Sequence, residues 1–308
     1  MNAAVMIGGR VLQGLGGASC RLVTLAIIRD RYEGATMAKI MSLIMIIFIM
    51  VPALAPSIGQ VILLVANWRA IFMFMLLLGL ICLIWFALKQ PETLSEENRL
   101  DFSIRTIWNG IVETLQNKIT RGYSIVSGLI FGAFVGYLSS SQQILQMQYE
   151  LGDMFSIYFG SLALAVGVAS MTNAKLVEKH GMEAMCKKAI STLVMVALLF
   201  LPYCFYTNGH PPLIMLMGYF WVTFFCFGIL FGNLNALAIQ PLGHIAGVAS
   251  SVIGSLQTLL SVGFGGFIGY SYNGSVLPLV SGFLLLGLSS MILLAGLMKK
   301  RDDLPAYS

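Results

Sequence analysis

Arg10-Val11-Leu12-Gln13-Gly14-Leu15-Gly16-Gly17-Ala18-Ser19-Cys20-Arg21 is the stretch that decides how this chain is read. It lies inside an apolar run from about Ala3 to Ile28, longer than the roughly 20 residues needed to cross a bilayer. The run nevertheless carries two arginines. An arginine at bilayer depth costs about 2.5–3.5 kcal/mol on insertion scales, so such a side chain faces a bundle interior or a wet cavity. Arg10 and Arg21 are eleven residues apart, about three helical turns, and therefore share one face. Gln13, Gly14 and Gly17 lie on or beside that face, and small residues let another helix approach closely. The helix presents a polar, cationic stripe to other helices rather than to lipid.

The composition agrees. Of the 308 residues 58% are hydrophobic and 10% charged, with a mean hydropathy of +0.86. A soluble domain carries about 25% charged residues, so the chain is read as an integral membrane protein with the bilayer as its first partner. The net charge of +5 points to no nucleic acid, because the basic residues sit at span ends, as insertion requires. Cys20, Cys82, Cys186, Cys204 and Cys226 fall in or beside apolar runs without paired spacing and read as small core residues. Gly17-Ala18-Ser19-Cys20 superficially suggests a lipoprotein cleavage site, but no basic region precedes it and two arginines interrupt the apolar stretch. His180, His210 and His244 stand in separate loops, so no metal site and no cofactor are expected. Gly14-Leu15-Gly16-Gly17 does not follow a strand and is no nucleotide loop. No span carries a nucleophile–base pair, which argues against a membrane enzyme.

Nine spans are predicted, at roughly Ala3–Ile28, Ile40–Val65, Ala70–Leu88, Ser124–Met147, Phe155–Asn173, Ala189–Tyr206, Leu213–Ile239, Ala249–Tyr270 and Val276–Met298. The fold class is all-α, a polytopic helical bundle. One set of loops holds 15 of the 18 basic residues, the opposite set only Arg69. The positive-inside rule then puts the C-terminus in the cytoplasm and the N-terminus outside. Trp68, Tyr149, Tyr206, Tyr270 and Tyr272 fall at the outer span ends, as interfacial anchors.

The long connection from Lys89 to Tyr123 is acidic to Asp101. After that Ile104, Ile107, Trp108, Ile111, Val112, Leu115 and Ile119 recur at helical spacing, with Arg105, Asn109, Glu113, Gln116 and Lys118 on the other face. This predicts an amphipathic helix over Ser103–Ile119 on the cytoplasmic membrane surface. The chain thus divides into residues 1–88, a partial bundle of three helices; 89–123, a cytoplasmic linker; and 124–308, a six-helix bundle with a short tail.

Within the spans, Pro52 and Pro56 remove backbone hydrogen bonds and kink the helix. Ser139, Gln143 and Gln146 recur at i, i+4 and i+7 with Gln142 beside them. Ser250, Gly254, Gln257 and Ser261 form a similar stripe, and Asn233 and Asn235 lie together in another span. Such stripes glue helices or line a cavity. Gly265 and Gly269 form a small-xxx-small pair, read as packing.

The ordered motifs resemble one family. Arg10-Val11-Leu12-Gln13-Gly14, with Gly16-Gly17-Ala18, is similar to the fourth-helix motif of Major Facilitator Superfamily transporters of the Bcr/CflA drug-resistance type, and Arg29-Asp30 to the end of that helix. Pro52-Ala53-Leu54-Ala55-Pro56-Ser57-Ile58-Gly59-Gln60 resembles the fifth-helix antiporter motif, with Ala55 for its first glycine and Gln60 for its last. Trp68-Arg69-Ala70-Ile71-Phe72 resembles the start of the sixth helix and Pro91-Glu92-Thr93-Leu94 its exit. Pro241-Leu242-Gly243-His244-Ile245-Ala246-Gly247-Val248-Ala249-Ser250-Ser251 resembles the entry to the eleventh, and Leu176-Val177-Glu178-Lys179-His180-Gly181 a weak loop motif after the eighth.

The resemblance implies a twelve-helix bundle whose first three helices are absent here, which is expected to reflect a truncated reading frame or a start codon assigned too late. It implies a monomeric drug:proton antiporter of the bacterial inner membrane, exchanging protons for small drug-like compounds. Arg10, Gln13, Gly14 and Arg21 would be the proton-coupling motif, and Pro52, Pro56 and Gly59 the gating kink. Gln142, Gln143, Gln146, Asn233, Asn235 and Gln257 are the candidate substrate cavity. All 13 acidic residues fall in loops or tails, so the proton carrier is expected outside these nine spans. The rival expectation is a membrane-embedded fragment that does not transport.

Overall fold

A computed structural model describes residues 3–31, 51, 55, 58–92 and 103–302. All regular structure among them is helical. The chain forms two compact units, Met1–Phe102 and Ser103–Ser308.

In the first unit, α1 (Ala3–Arg31) contains the opening stretch. The predicted second span lies outside the described residues except for residues 51 and 55 and a helical stretch over 58–65. A tight turn follows, in which the Asn67 side chain accepts from the Arg69 backbone N–H at 3.0 Å and starts α2 (Arg69–Lys89). Helix α2 has a mean hydropathy of 2.9 over its most apolar window, and none of its residues is buried by the described structure. A helix apolar all round is built to face hydrocarbon. It ends at Lys89, and the N–H of Gln90 closes the last turn on the Phe86 carbonyl before Pro91.

The second unit begins with α3 (Ile104–Gln116). Ser103 caps it by accepting from the Thr106 N–H at 3.3 Å. The apolar period continues to Ile119, but the helix does not. Asn117 adopts an extended ψ of 111° and its side chain accepts from the N–H groups of Ile119 and Thr120. The amphipathic segment therefore stops at Gln116, and Ile119 belongs to α4 (Lys118–Gln142). Periodicity alone could not show this break, because a capping side chain overrides it locally.

Helix α4 runs on into a π-helical turn, Gln143–Gln148, and a short 3-10 turn, Gly152–Met154. After them come α5 (Phe155–His180), α6 (Met182–Tyr206) and α7 (Leu213–Ile239). A 3-10 segment, Gln240–Ile245, leads to α8 (Ala246–Tyr270), and α9 (Leu277–Asp302) ends the unit. Gly181 joins α5 to α6 at φ 79°, backbone that residues with a Cβ rarely adopt.

Helices α4 and α8 make the longest contact in the unit. Gly265 allows it: a Cβ there would stand 2.7 Å from the Gly132 carbonyl oxygen and from Val135. Gly269 meets Ser139 in the same way, so the small-xxx-small pair is a packing seam. In lipid, helix association rests on such close van der Waals contact, since hydrocarbon is as apolar as a leucine.

The core is aromatic. Phe131, Phe134 and Tyr137 of α4 meet Phe220, Phe224, Phe227 and Phe231 of α7, with ring centroids 4.8–6.1 Å apart. Most of these pairs are edge-to-face, the geometry the ring quadrupole favours, worth about 0.5–1.5 kcal/mol each beyond buried area. Tyr137, Phe220, Phe227 and Phe283 are fully buried. Outside, Leu199, Ile214, Leu259 and Phe267 are each at least 70% exposed, as expected of a lipid-facing surface.

At one end of the unit three loops are tied together. The Gly209 carbonyl accepts from Gln148 Nε2 and from the Val276 N–H, both at 3.1 Å. The Tyr149 hydroxyl donates to the Pro211 carbonyl and the Tyr272 hydroxyl to that of Gln143. Burial pushes the Tyr149 phenol above its ordinary range, with Cys204 and Tyr272 adding to the effect, so it remains a neutral donor. Tyr206 and Tyr270, at the ends of α6 and α8, are 85% and 90% exposed, where interfacial anchors belong.

Candidate functional site

In the first unit the site is built on Arg10. One turn along α1, Gln13 Oε1 accepts a hydrogen bond from Arg10 Nη1 at 2.9 Å. The guanidinium lies over the Phe72 ring of α2, 5.0 Å from its centroid. Phe72 meets Trp68 edge-on at 5.9 Å, and Arg69 lies over the Trp68 ring at 4.8 Å. The two rings thus stand between the two guanidiniums, and Trp68, Arg69 and Phe72 line with Met6 a hollow of about 220 Å³. Cation–π contacts of this kind contribute about 0.5–1 kcal/mol at exposed sites and about 2 when desolvated. They hold the plane of the guanidinium, and among the described residues only one of its five N–H donors is engaged, by Gln13.

Gly14 is one turn on from Arg10, and at Gly14 and Gly16 nothing among the described residues lies within 4 Å of the position a Cβ would take. Gly59 is half-buried within the helical residues 58–65. Pro52, Pro56 and the side chain of Arg21 lie outside the described residues.

In the second unit the predicted cavity residues separate. Gln142 Nε2 donates to Gln146 Oε1 at 3.1 Å, and both side chains are exposed. Gln143 is half-buried. The expected i, i+4, i+7 stripe assumed 3.6 residues per turn, and the π turn from Gln143 breaks that register. The Tyr149 N–H reaches back to Ile144 rather than to Leu145, one residue further than an α-helix allows. Asn233 is buried and exchanges two hydrogen bonds with Asn173 of α5, at 2.7 and 3.2 Å. It clasps two helices, and both of its amide atoms are spent. Asn235 and Gln257 are half-buried on α7 and α8 and join neither pair.

What the residue pattern missed is aromatic. Phe131, Phe134 and Phe231 are half-buried, with Phe231 centred 5.1 Å from Phe131 and 5.5 Å from Phe134. Helical spacing puts Phe131, Phe134, Leu138 and Gln142 on one face of α4. Inside an apolar span a phenylalanine carries no periodic signal, so nothing in the sequence separated these rings from lipid-facing ones. Helices α4, α7 and α8 contain no Asp, Glu or His.

The chain was compared with known proteins. The sequence pattern of the Major Facilitator Superfamily matches residues 1–269. An uncharacterized MFS-type transporter, YdgK, of Bacillus subtilis (strain 168) is 29% identical over 262 residues, covering 84% of this chain and 64% of its own length. A bicyclomycin resistance protein homolog of Haemophilus influenzae is 26% identical over 276 residues, covering 88% and 68%. The multidrug resistance protein MdtL of Escherichia coli O45:K1 is 28% identical over 266 residues, covering 83% and 63%. The chain therefore spans about two thirds of the length of these relatives. With six helical segments among the described residues long and apolar enough to cross a membrane and a family pattern over residues 1–269, the chain belongs to the Major Facilitator Superfamily, a family of membrane transporters rather than enzymes.

Proposed function

We propose that this chain moves small, largely apolar, drug-like compounds out of the bacterial cell across the inner membrane in exchange for protons. It acts as a monomer with its C-terminus in the cytoplasm. The observation that carries the reading is Arg10, a guanidinium in an apolar helix held by Gln13 and the Phe72 ring, in a chain whose relatives are named for resistance to drugs. Arg10 responds to the charge of a proton carrier elsewhere in the protein, and Arg21 supports it from the same face. Pro52, Pro56 and Gly59 supply the bend about which the helices rock. The half-buried rings of Phe131, Phe134 and Phe231, with Gln142 and Gln146, form the wall that the C-terminal unit offers to substrate. Gln143, Asn235 and Gln257 border it, and Asn233 holds α5 against α7 behind it.

The test is transport into liposomes that hold the purified chain, with a pH gradient as the only source of energy. A chain that sits in the membrane without moving solute would give no uptake above that of empty liposomes.

The orientation has its own test. With a cysteine in place of Lys299, an impermeant thiol reagent should leave intact cells unlabelled at that position and label it once the membrane is opened. Equal labelling in both states would reverse the topology.

A further inference from the structure

Helix α3 has two sides, and the second unit uses only one of them. Gly110 and Thr114 are buried, with Gly110 set against Val248 of α8. On that flank Glu113 Oε1 meets His244 Nε2 at 2.8 Å, which ties α3 to the 3-10 segment before α8. The other side holds Ile104, Trp108, Ile111 and Leu115 at i, i+4, i+7 and i+11, one helical face. Ile104 is 72% exposed, Trp108 63% and Leu115 42%. An apolar stripe this open on a helix held in place by its opposite side calls for a covering partner.

Position and charge say which. Only Asn117 separates α3 from Lys118, where a segment long and apolar enough to cross a membrane begins. The stripe therefore stands where the chain enters the bilayer, the level at which tryptophan is favoured. Exposed Arg105 flanks the stripe, and exposed Lys118 and Arg121 follow it. The one acidic side chain of α3, Glu113, is turned away toward His244. An apolar face edged by cations matches the acyl boundary and phosphates of an acidic lipid surface.

We propose that α3 is a binding surface for acidic phospholipid, with Ile104, Trp108 and Leu115 seated among acyl chains and Arg105, Lys118 and Arg121 on the phosphates. This does not depend on the transport reading, because it needs only a bilayer at the start of α4.

The test uses the full chain with Trp108 as its single tryptophan (Trp68→Phe, Trp85→Phe, Trp221→Phe), in liposomes of phosphatidylcholine with or without phosphatidylglycerol. Trp108 emission should be blue-shifted. Brominated phosphatidylglycerol should quench it more strongly than brominated phosphatidylcholine at equal content. That preference should be lost in Arg105→Gln/Lys118→Gln/Arg121→Gln and weakened by salt. Three results overturn the proposal: quenching by aqueous acrylamide as free as for tryptophan in solution, shielding from acrylamide and brominated lipid alike (a protein cover), or equal quenching by the two lipids. Should the single-tryptophan chain fail to fold, the native chain gives a second reading. Phosphatidylglycerol should raise its thermal midpoint and leave that of the triple glutamine variant unchanged; equal rises would overturn the proposal.

Discussion

Replacing Arg10 by alanine is expected to abolish proton-driven efflux while leaving the protein in the membrane. The guanidinium is anchored from two directions, by Gln13 at 2.9 Å and by the Phe72 ring at 5.0 Å, and neither anchor uses all of its donors. On the proposed mechanism the free donors engage a partner whose charge changes when a proton binds. A coupling free energy of about 1–3 kcal/mol between two sites corresponds to about 5–150-fold in the coupled step, and the loss should fall in that range or beyond. Arg10→Lys should also be severely impaired. A lysine keeps the charge but not the planar fork that serves two acceptors at once, and its proton can leave when it is desolvated. Arg21→Ala should cost less, because a long side chain nearer the end of a span can snorkel to the interface. Rates must be compared at matched membrane abundance. Wild-type efflux and pH dependence in Arg10→Ala would reduce Arg10 to a helix-pairing residue.

The second large effect is structural. Gly265→Leu should separate α4 from α8. The new side chain would start 2.7 Å from the Gly132 carbonyl oxygen, and backbone cannot rotate away as a side-chain tip can. Overpacking a tight seam costs about 1–3 kcal/mol, occasionally more, a large share of the roughly 5–15 kcal/mol that holds a domain together. The thermal midpoint in detergent and the amount of protein in the membrane should both fall. Gly263→Leu, two residues earlier on the same helix, is the control. Its Cβ would meet nothing within 4 Å among the described residues, and the change should be nearly neutral. Equal losses in the two variants would mean that the α4–α8 contact is not what Gly265 protects.

These two residues also show where the sequence was legible. Local spacing exposes local geometry: Gln13 lies three residues from Arg10, and the pair does form a hydrogen bond. Gly265 and Gly269 lie four apart, and both meet α4. Apolar run length gave most of the spans, because the bilayer imposes it. Features that depend on a distant partner or a departure from the ideal helix were not readable. Asn233 is joined to a residue 60 positions away, and no single-span pattern could separate that clasp from a cavity lining. The π turn at Gln143 moved the glutamines off their expected face, because periodicity arguments assume 3.6 residues per turn. The break at Asn117 was hidden under an apolar period that continues past it. The aromatic wall was hidden for a third reason. Within a span, a ring that faces lipid and a ring that faces a cavity satisfy the same hydropathy, and only packing distinguishes them.

The central claim is proton-coupled movement of small apolar compounds, and purified protein in liposomes tests it most directly. A fluorescent, membrane-slow aromatic compound is placed outside vesicles whose interior is more acidic than the medium. The account predicts that protons leaving down their gradient drive the compound inward to above its external concentration. The accumulation should vanish when an ionophore collapses the gradient and should be absent with Arg10→Ala. Uptake that is the same with and without the gradient, or no greater than into protein-free liposomes, would contradict the account.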